Sequence, residues 1–179
     1  MKKLLCGILT LWVLLMLFGC GKPEASTQTG EPILSSFSAM DVEGTACNQD
    51  ILAGAKVTMI NIWGTFCAPC ISEMPDLALL DNAFGDNFQV VGIIIDAADR
   101  NGNTIPEKKA EALSIIGQTG ADYRHLLPSP SLTAAYLSRV EAVPETIFVN
   151  AEGNQIGERY LGAKSYDDWR AIIEALLDE

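Results

Sequence analysis

From Val57 to Trp63 the chain runs Val57-Thr58-Met59-Ile60-Asn61-Ile62-Trp63, nearly continuous in apolar residues and partly β-branched. Such a run suits a central strand covered on both faces. Downstream, Met74, Leu77, Leu80 and Phe84 recur at steps of three and four, which predicts a helix from Ala68 to about Phe84. Pro75 lies inside that helix and is expected to kink it, because proline removes one backbone hydrogen bond. Gln89 to Ile95 reads as a second buried strand. Asn101-Gly102-Asn103 turns the chain. Pro106 then opens a helix in which Ala110, Leu113 and Ile116 fall at three-residue steps, with Gly117 as the expected stop.

The remaining elements are shorter. Ile33 to Met40 is weakly strand-like, and Asp41 to Thr45 carries a turn. Tyr123 to Leu127 reads as a short strand and Ser131 to Leu137 as a short helix. Thr146 to Asn150 and Gln155 to Leu161 flank Ala151-Glu152-Gly153-Asn154, which predicts an antiparallel hairpin. The last helix has Ser165 as its cap and Asp168 three residues on, a spacing like a capping box. Trp169, Ile172, Ile173, Leu176 and Leu177 form its apolar stripe. Strands alternate with helices, then come a hairpin and a helix. That order predicts an α/β fold, a mixed central sheet with helices on both faces.

The 179 residues favour one domain, and an apolar fraction of 49% is enough for a full core without disulfide staples. The chain is acidic, with 12 Lys+Arg against 23 Asp+Glu. Such a surface argues against nucleic acid or anionic lipid as a direct partner.

The first residues read as an address. Lys2 and Lys3 give a basic start, and Leu4 to Phe18 is apolar apart from Thr10 and Gly7. Fifteen helical residues reach about 22 Å, short of the roughly 30 Å hydrocarbon core, so the segment reads as an export signal. Leu17-Phe18-Gly19-Cys20 resembles a bacterial lipoprotein processing site, with Phe18 bulkier than usual. That resemblance implies a signal peptide over 1–19 and a diacylglycerol on the Cys20 sulfur. Several acyl chains together give durable anchoring to the cell membrane. An uncleaved anchor and simple secretion are the alternatives, and all three put the body outside the cytoplasm. Residues 20–33 lack large apolar side chains up to Pro32 and are expected to form a flexible tether ahead of a domain over 34–179.

The candidate chemistry lies where the central strand ends. Cys67-Ala68-Pro69-Cys70 follows Trp63-Gly64-Thr65-Phe66 and opens the first long helix. Unpaired N–H groups and the positive end of the macrodipole favour a thiolate there. A free thiol titrates near ~8.5, and such positions lower it to about 3.5–7.5. Cys70, one turn on, shares the helical face of Cys67, at a separation of about 5–6 Å that a disulfide can span. Cys67 would attack a disulfide and Cys70 would resolve the mixed disulfide. No cofactor is needed. Two other readings of the pair are a zinc knuckle, for which only Cys47 and His125 remain as further sulfur or imidazole ligands, and a purely structural disulfide.

Trp63-x-x-x-Cys67-x-Pro69-Cys70, with Pro75 five residues after the second cysteine, resembles the thioredoxin superfamily. The export signal, the tether, Glu73-Met74-Pro75 and the extra strand–helix stretch from about Val91 to Leu127 resemble its TlpA/ResA-type, membrane-tethered branch. The resemblance covers about Ser35 to Leu177. It implies a thioredoxin-like fold and reduction of disulfides in exported proteins, such as apocytochrome c or methionine sulfoxide reductase. It also implies a transmembrane thiol electron donor of CcdA or DsbD type. A monomer is expected. Val143-Pro144, just before the strand from Thr146, matches the family's cis-proline loop, where the backbone of Val143 would pair with the substrate. Glu73 matches an active-site glutamate that would take the proton from Cys70, while a solvated helix-start acid is the plainer reading. Asn61 stands about where thioredoxin has a buried acid. Phe66 replaces a more usual Trp and is expected to form an apolar rim on the dithiol.

Three further residues have plainer roles: Trp63 as packing beneath the site, Cys47 as a half-buried free thiol and His125 as a structural histidine. Two other functions compete with the reductase: a dithiol oxidase, and a non-catalytic lipoprotein that binds unfolded chains. A thiol peroxidase with Cys47 as its sensor lacks a suitable nucleophile setting.

Overall fold

The structure, a computed structural model, describes residues 30–99 and 101–178. The expected signal peptide, Cys20 and residues 20–29 of the expected tether lie outside the described residues.

Five strands form the central sheet: β3 (Val57–Trp63), β4 (Phe88–Ile94), β5 (Arg124–Leu126), β6 (Glu145–Asn150) and β7 (Gln155–Leu161). Their order is β5-β4-β3-β6-β7, parallel from β5 to β3 and antiparallel through β6 and β7. All seven residues of β3 are buried, as a strand at the middle of a two-sided sheet requires. A separate pair, β1 (Ser38–Met40) and β2 (Ala46–Asn48), precedes it. The helices are α1 (Ala68–Ala83), α2 (Pro106–Thr119), α3 (Pro130–Ala135) and α4 (Tyr166–Asp178).

Strand alternation divides the core in two. On one face, Met59 and Trp63 of β3 meet Met74, Leu77 and Leu80 of α1, Ile116 of α2, and Trp169 and Ile173 of α4. On the other, Ile60 and Ile62 meet Leu132 of α3, Ala39 of β1, Cys47 of β2, and Ile33, Leu34 and Phe37. This is the thioredoxin-like α/β fold expected from the sequence.

Three local expectations shift. The strand-like stretch from Ile33 contracts to Ser38–Met40, and its partner β2 was not anticipated. Three-residue strands carry too few positions for an alternation to register. Helix α2 passes Gly117 and stops at Gly120, which sits at φ 68° in the left-handed region and donates its N–H to the Ile116 carbonyl. A glycine is tolerated inside a helix, but this cap demands one. Helix α3 starts at Pro130 because Ser129 Oγ accepts the Leu132 N–H, and a short 3-10 turn over Leu137–Arg139 follows it. Pro75 lies inside α1, as expected. The Ser165 cap forms as expected: Asp168 N–H donates to Ser165 Oγ at 3.3 Å, and that hydroxyl donates to Asp168 Oδ2 at 2.7 Å.

Candidate active site

The loop from β3 into α1 carries the two sulfurs. Cys67 has extended backbone angles and caps α1, with Pro69 inside the first turn. Cys67 and Cys70 are joined as a disulfide across a Cα separation of 5.3 Å. Cys70 N–H points at Cys67 Sγ from 3.3 Å. In the reduced protein that donor, with the helix dipole, would favour a thiolate on Cys67. Cys70 is fully buried and Cys67 is 5% exposed, so attack from outside must come at Cys67.

The loop is clamped from the residues just past β4. Thr65 donates both its backbone N–H (3.0 Å) and its hydroxyl (2.7 Å) to the Asp96 carboxylate, while Lys108 Nζ of α2 donates to Thr65 Oγ1 at 2.8 Å. Phe66 stands 68% exposed, its ring lying close over Gly64. The Val143–Pro144 peptide is cis. Val143 is half-buried against both cores, Pro144 is buried, and the Pro144 carbonyl accepts from Gly162 N–H at 2.9 Å.

Glu73 is 3% exposed, which removes the reading of a solvated surface acid. Its Oε1 accepts from Asn61 Nδ2 at 3.0 Å. Its Oε2 accepts from Trp169 Nε1 and from the Lys164 backbone N–H, each at 3.2 Å. Asn61 Nδ2 also donates to Thr146 Oγ1 at 3.1 Å. Burial pushes the Glu73 carboxyl above its ordinary range; the three N–H donors pull it back, and nearby Asp76 adds to the push. A buried carboxyl of raised proton affinity is suited to accept a proton from a neighbouring group.

The other singled-out residues are engaged elsewhere. Trp63 is buried beneath the site and its Nε1 donates to His125 Nδ1 at 3.1 Å. Nδ1 is therefore bare, so the proton sits on Nε2 and is donated to the Ala121 carbonyl at 3.0 Å. Cys47 is a buried free thiol beside Arg124 Nη1 at 3.0 Å. Sequence reading gave no part to Asp96, Lys108 or the Trp169 indole. Only Trp169 carried a usable signal, since a buried indole N–H must find an acceptor.

Fold and site together define a thioredoxin-like protein with a dithiol at a helix start and a cis-proline loop. The chain belongs to the Redoxin family, whose model matches residues 28–176. It is 31% identical over 110 residues to the thioredoxin-like protein YneN of Bacillus subtilis, covering 56% of this chain and 61% of that one. It is 28% identical over 126 residues to the thiol:disulfide interchange protein HelX of Rhodobacter capsulatus, covering 70% and 64%. The chain thus spans less than two thirds of the length of these curated relatives. Among solved structures, a thiol:disulfide interchange protein of the thioredoxin family from Chlorobium tepidum superposes with a TM-score of 0.66 at 25% identity, over 83% of this chain and 96% of that one.

Proposed function

We propose that this protein is an extracytoplasmic thiol–disulfide oxidoreductase of the TlpA/ResA-type branch, lipid-anchored through Cys20, which reduces disulfides in exported proteins. The observation that carries the reading is the Cys67–Cys70 pair at the start of α1, with the Cys70 N–H aimed at Cys67 Sγ. The relatives named thiol:disulfide interchange proteins support the same chemistry.

The cycle starts from the dithiol. Cys67 thiolate attacks one sulfur of the substrate disulfide; a mixed disulfide forms and the other substrate sulfur leaves as a thiolate. Glu73 takes the proton of Cys70. Cys70 thiolate then attacks Cys67 Sγ, the Cys67–Cys70 bond forms and the second substrate thiolate leaves. Two electrons have passed to the substrate. A transmembrane dithiol donor of CcdA or DsbD type reverses the exchange and restores the thiols. Val143, beside the cis-proline, offers backbone to the substrate, and Phe66 adds an exposed apolar contact. Exported disulfide proteins of the apocytochrome c or methionine sulfoxide reductase kind are the expected clients.

Replacing Cys70 by Ser should leave Cys67 able to attack and unable to be released. Cells making Cys70→Ser should accumulate mixed disulfides with exported proteins, lost on reduction and absent from Cys67→Ser cells. No such adducts, with Cys67 alkylated as slowly as free cysteine, would refute the reading. The reduction potential of the pair fixes direction: a value near the roughly −270 mV of thioredoxin supports reduction, and one near about −120 mV would make the protein an oxidase.

A further inference from the structure

Among the described residues, every polar partner that Glu73 meets is a donor. Asn61 Nδ2 reaches Oε1, while Trp169 Nε1 and the Lys164 backbone N–H reach Oε2. A carboxylate satisfies all three, whereas the O–H of a carboxylic acid would face N–H groups. The three donors are not equivalent. The Asn61 side chain is shared with Thr146, and its Oδ1 is buried without a partner among the described residues, so a turn of the amide would offer Glu73 an acceptor instead. The Lys164 donor is main chain. The indole can only donate, and its ring is packed edge-on against Phe148 (centroids 6.1 Å apart) and Tyr160 (5.6 Å), under the Lys164 ammonium at 5.7 Å.

We propose that Trp169 is a positioning residue for the reaction: its indole N–H fixes Glu73 Oε2 and holds that side chain as a carboxylate, ready for the Cys70 proton. The inference rests on the reading that Glu73 takes that proton. The other groups facing Glu73 are accounted for. Asp76, one turn on in α1, opposes the carboxylate, and so does burial. The Tyr123 hydroxyl, entering ahead of β5, is buried without a hydrogen-bond partner among the described residues and stays protonated, pushed well up by burial and by the charges of Glu73 and Asp81. Asn61 of β3 and the Lys164 main chain side with the indole. Cys70, in the same helix, is the proton's source.

Without the indole N–H, Glu73 would hold its proton to higher pH. The acidic limit of mixed-disulfide resolution should then rise by roughly one to two pH units, the strength of one hydrogen bond to a charged group. The experiment forms a mixed disulfide between Cys67 and a small aromatic thiol. The rate of its release by Cys70 is then followed against pH in the intact protein, in Trp169→Phe, in Glu73→Gln and in the double variant. Trp169→Phe should move the limb upward, Glu73→Gln should abolish it, and the double variant should match Glu73→Gln. A wild-type profile in Glu73→Gln would sink the proton-acceptor reading and this proposal with it. Loss of the limb in Glu73→Gln, with the wild-type midpoint kept in Trp169→Phe, would sink this proposal alone. A reading that needs no variant is the NMR signal of the Trp169 indole N–H, which should titrate with the Glu73 carboxyl carbon at one midpoint. An indole signal flat through that titration overturns the proposal.

Discussion

His125 shows how one buried side chain ties stability to pH. Its imidazole is held neutral between the Trp63 indole and the Ala121 carbonyl, and burial pushes its pKa down to about 4. The unfolded chain takes up a proton near ~6.5. Below that pH the unfolded state binds more protons than the folded one, so stability falls between about pH 6.5 and 4, by up to about 3 kcal/mol, and is fully present above. Glu73 acts with the opposite sign. Its raised proton affinity lowers stability as pH climbs above about 4.5, the ordinary range of a glutamate. The two are separable because His125 is the chain's single histidine. Its ring C–H resonances should stay constant from pH 8 to 5, and in a Glu73→Gln background the urea midpoint should fall steadily from pH 6.5 to 4.5. A ring that titrates near 6.5 would contradict the buried neutral form. At this scale the sequence was legible where chemistry is local. Cys67 and Cys70 declare themselves by spacing. The burial of Glu73 does not, because it is made by Trp169, 96 residues further on, and in sequence that indole is just one member of an apolar stripe.

At the level of elements, the loop from β3 to α1 must hold its sulfurs still without regular structure of its own. Asp96, just past the end of β4, does this by accepting two hydrogen bonds from Thr65, whose side chain and N–H are almost fully enclosed. Asp96→Ala would leave both donors without that acceptor, although Lys108 Nζ could stay on the hydroxyl. The expected destabilisation is about 1–3 kcal/mol, the penalty of an orphaned buried donor. Cys67 alkylation in the reduced protein should slow as the loop loosens away from the helix end. Urea unfolding and alkylation kinetics measure the two separately, and an unchanged midpoint would show the clamp to be idle. Long elements such as β3, α1 and α4 were legible because many positions repeat one period. The pair β1–β2 was not, and the stop of α2 was misplaced by three residues, since two glycines competed for it and only backbone geometry chooses between them. A packing constraint was equally hidden: a Cβ at Gly92 in β4 would collide with the His125 ring.

Across the whole molecule, the folded body begins earlier than composition suggests. Composition places residues 20–33 in a flexible tether, since nothing from Gly21 to Pro32 is strongly apolar. In the structure Gln155 N–H donates to the Glu31 carbonyl and Leu34 N–H to the Gly153 carbonyl, both at 2.9 Å, and Pro32 bridges to Asn154. Ile33 and Leu34 are 2% and 1% exposed within the core on the α3 side of the sheet. The segment thus lies along the β6–β7 hairpin and closes that core. Burying each side chain is worth about 1.5–3 kcal/mol, an upper figure because an unfolded chain already hides some apolar surface. The exposed Glu31–Arg139 pair adds little. A variant starting at residue 30 keeps this segment whole and is the reference for a shorter one. One starting at residue 36 should lose roughly 3–5 kcal/mol, a large part of the 5–15 kcal/mol typical of a domain. The dithiol is on the opposite face, in the core of α1, α2 and α4. At low urea the shorter variant should therefore keep wild-type Cys67 alkylation while its unfolding midpoint drops. Equal midpoints for the two truncations would show that residues 31–35 rest on the body without closing it, and would return the start of the domain to the position read from composition.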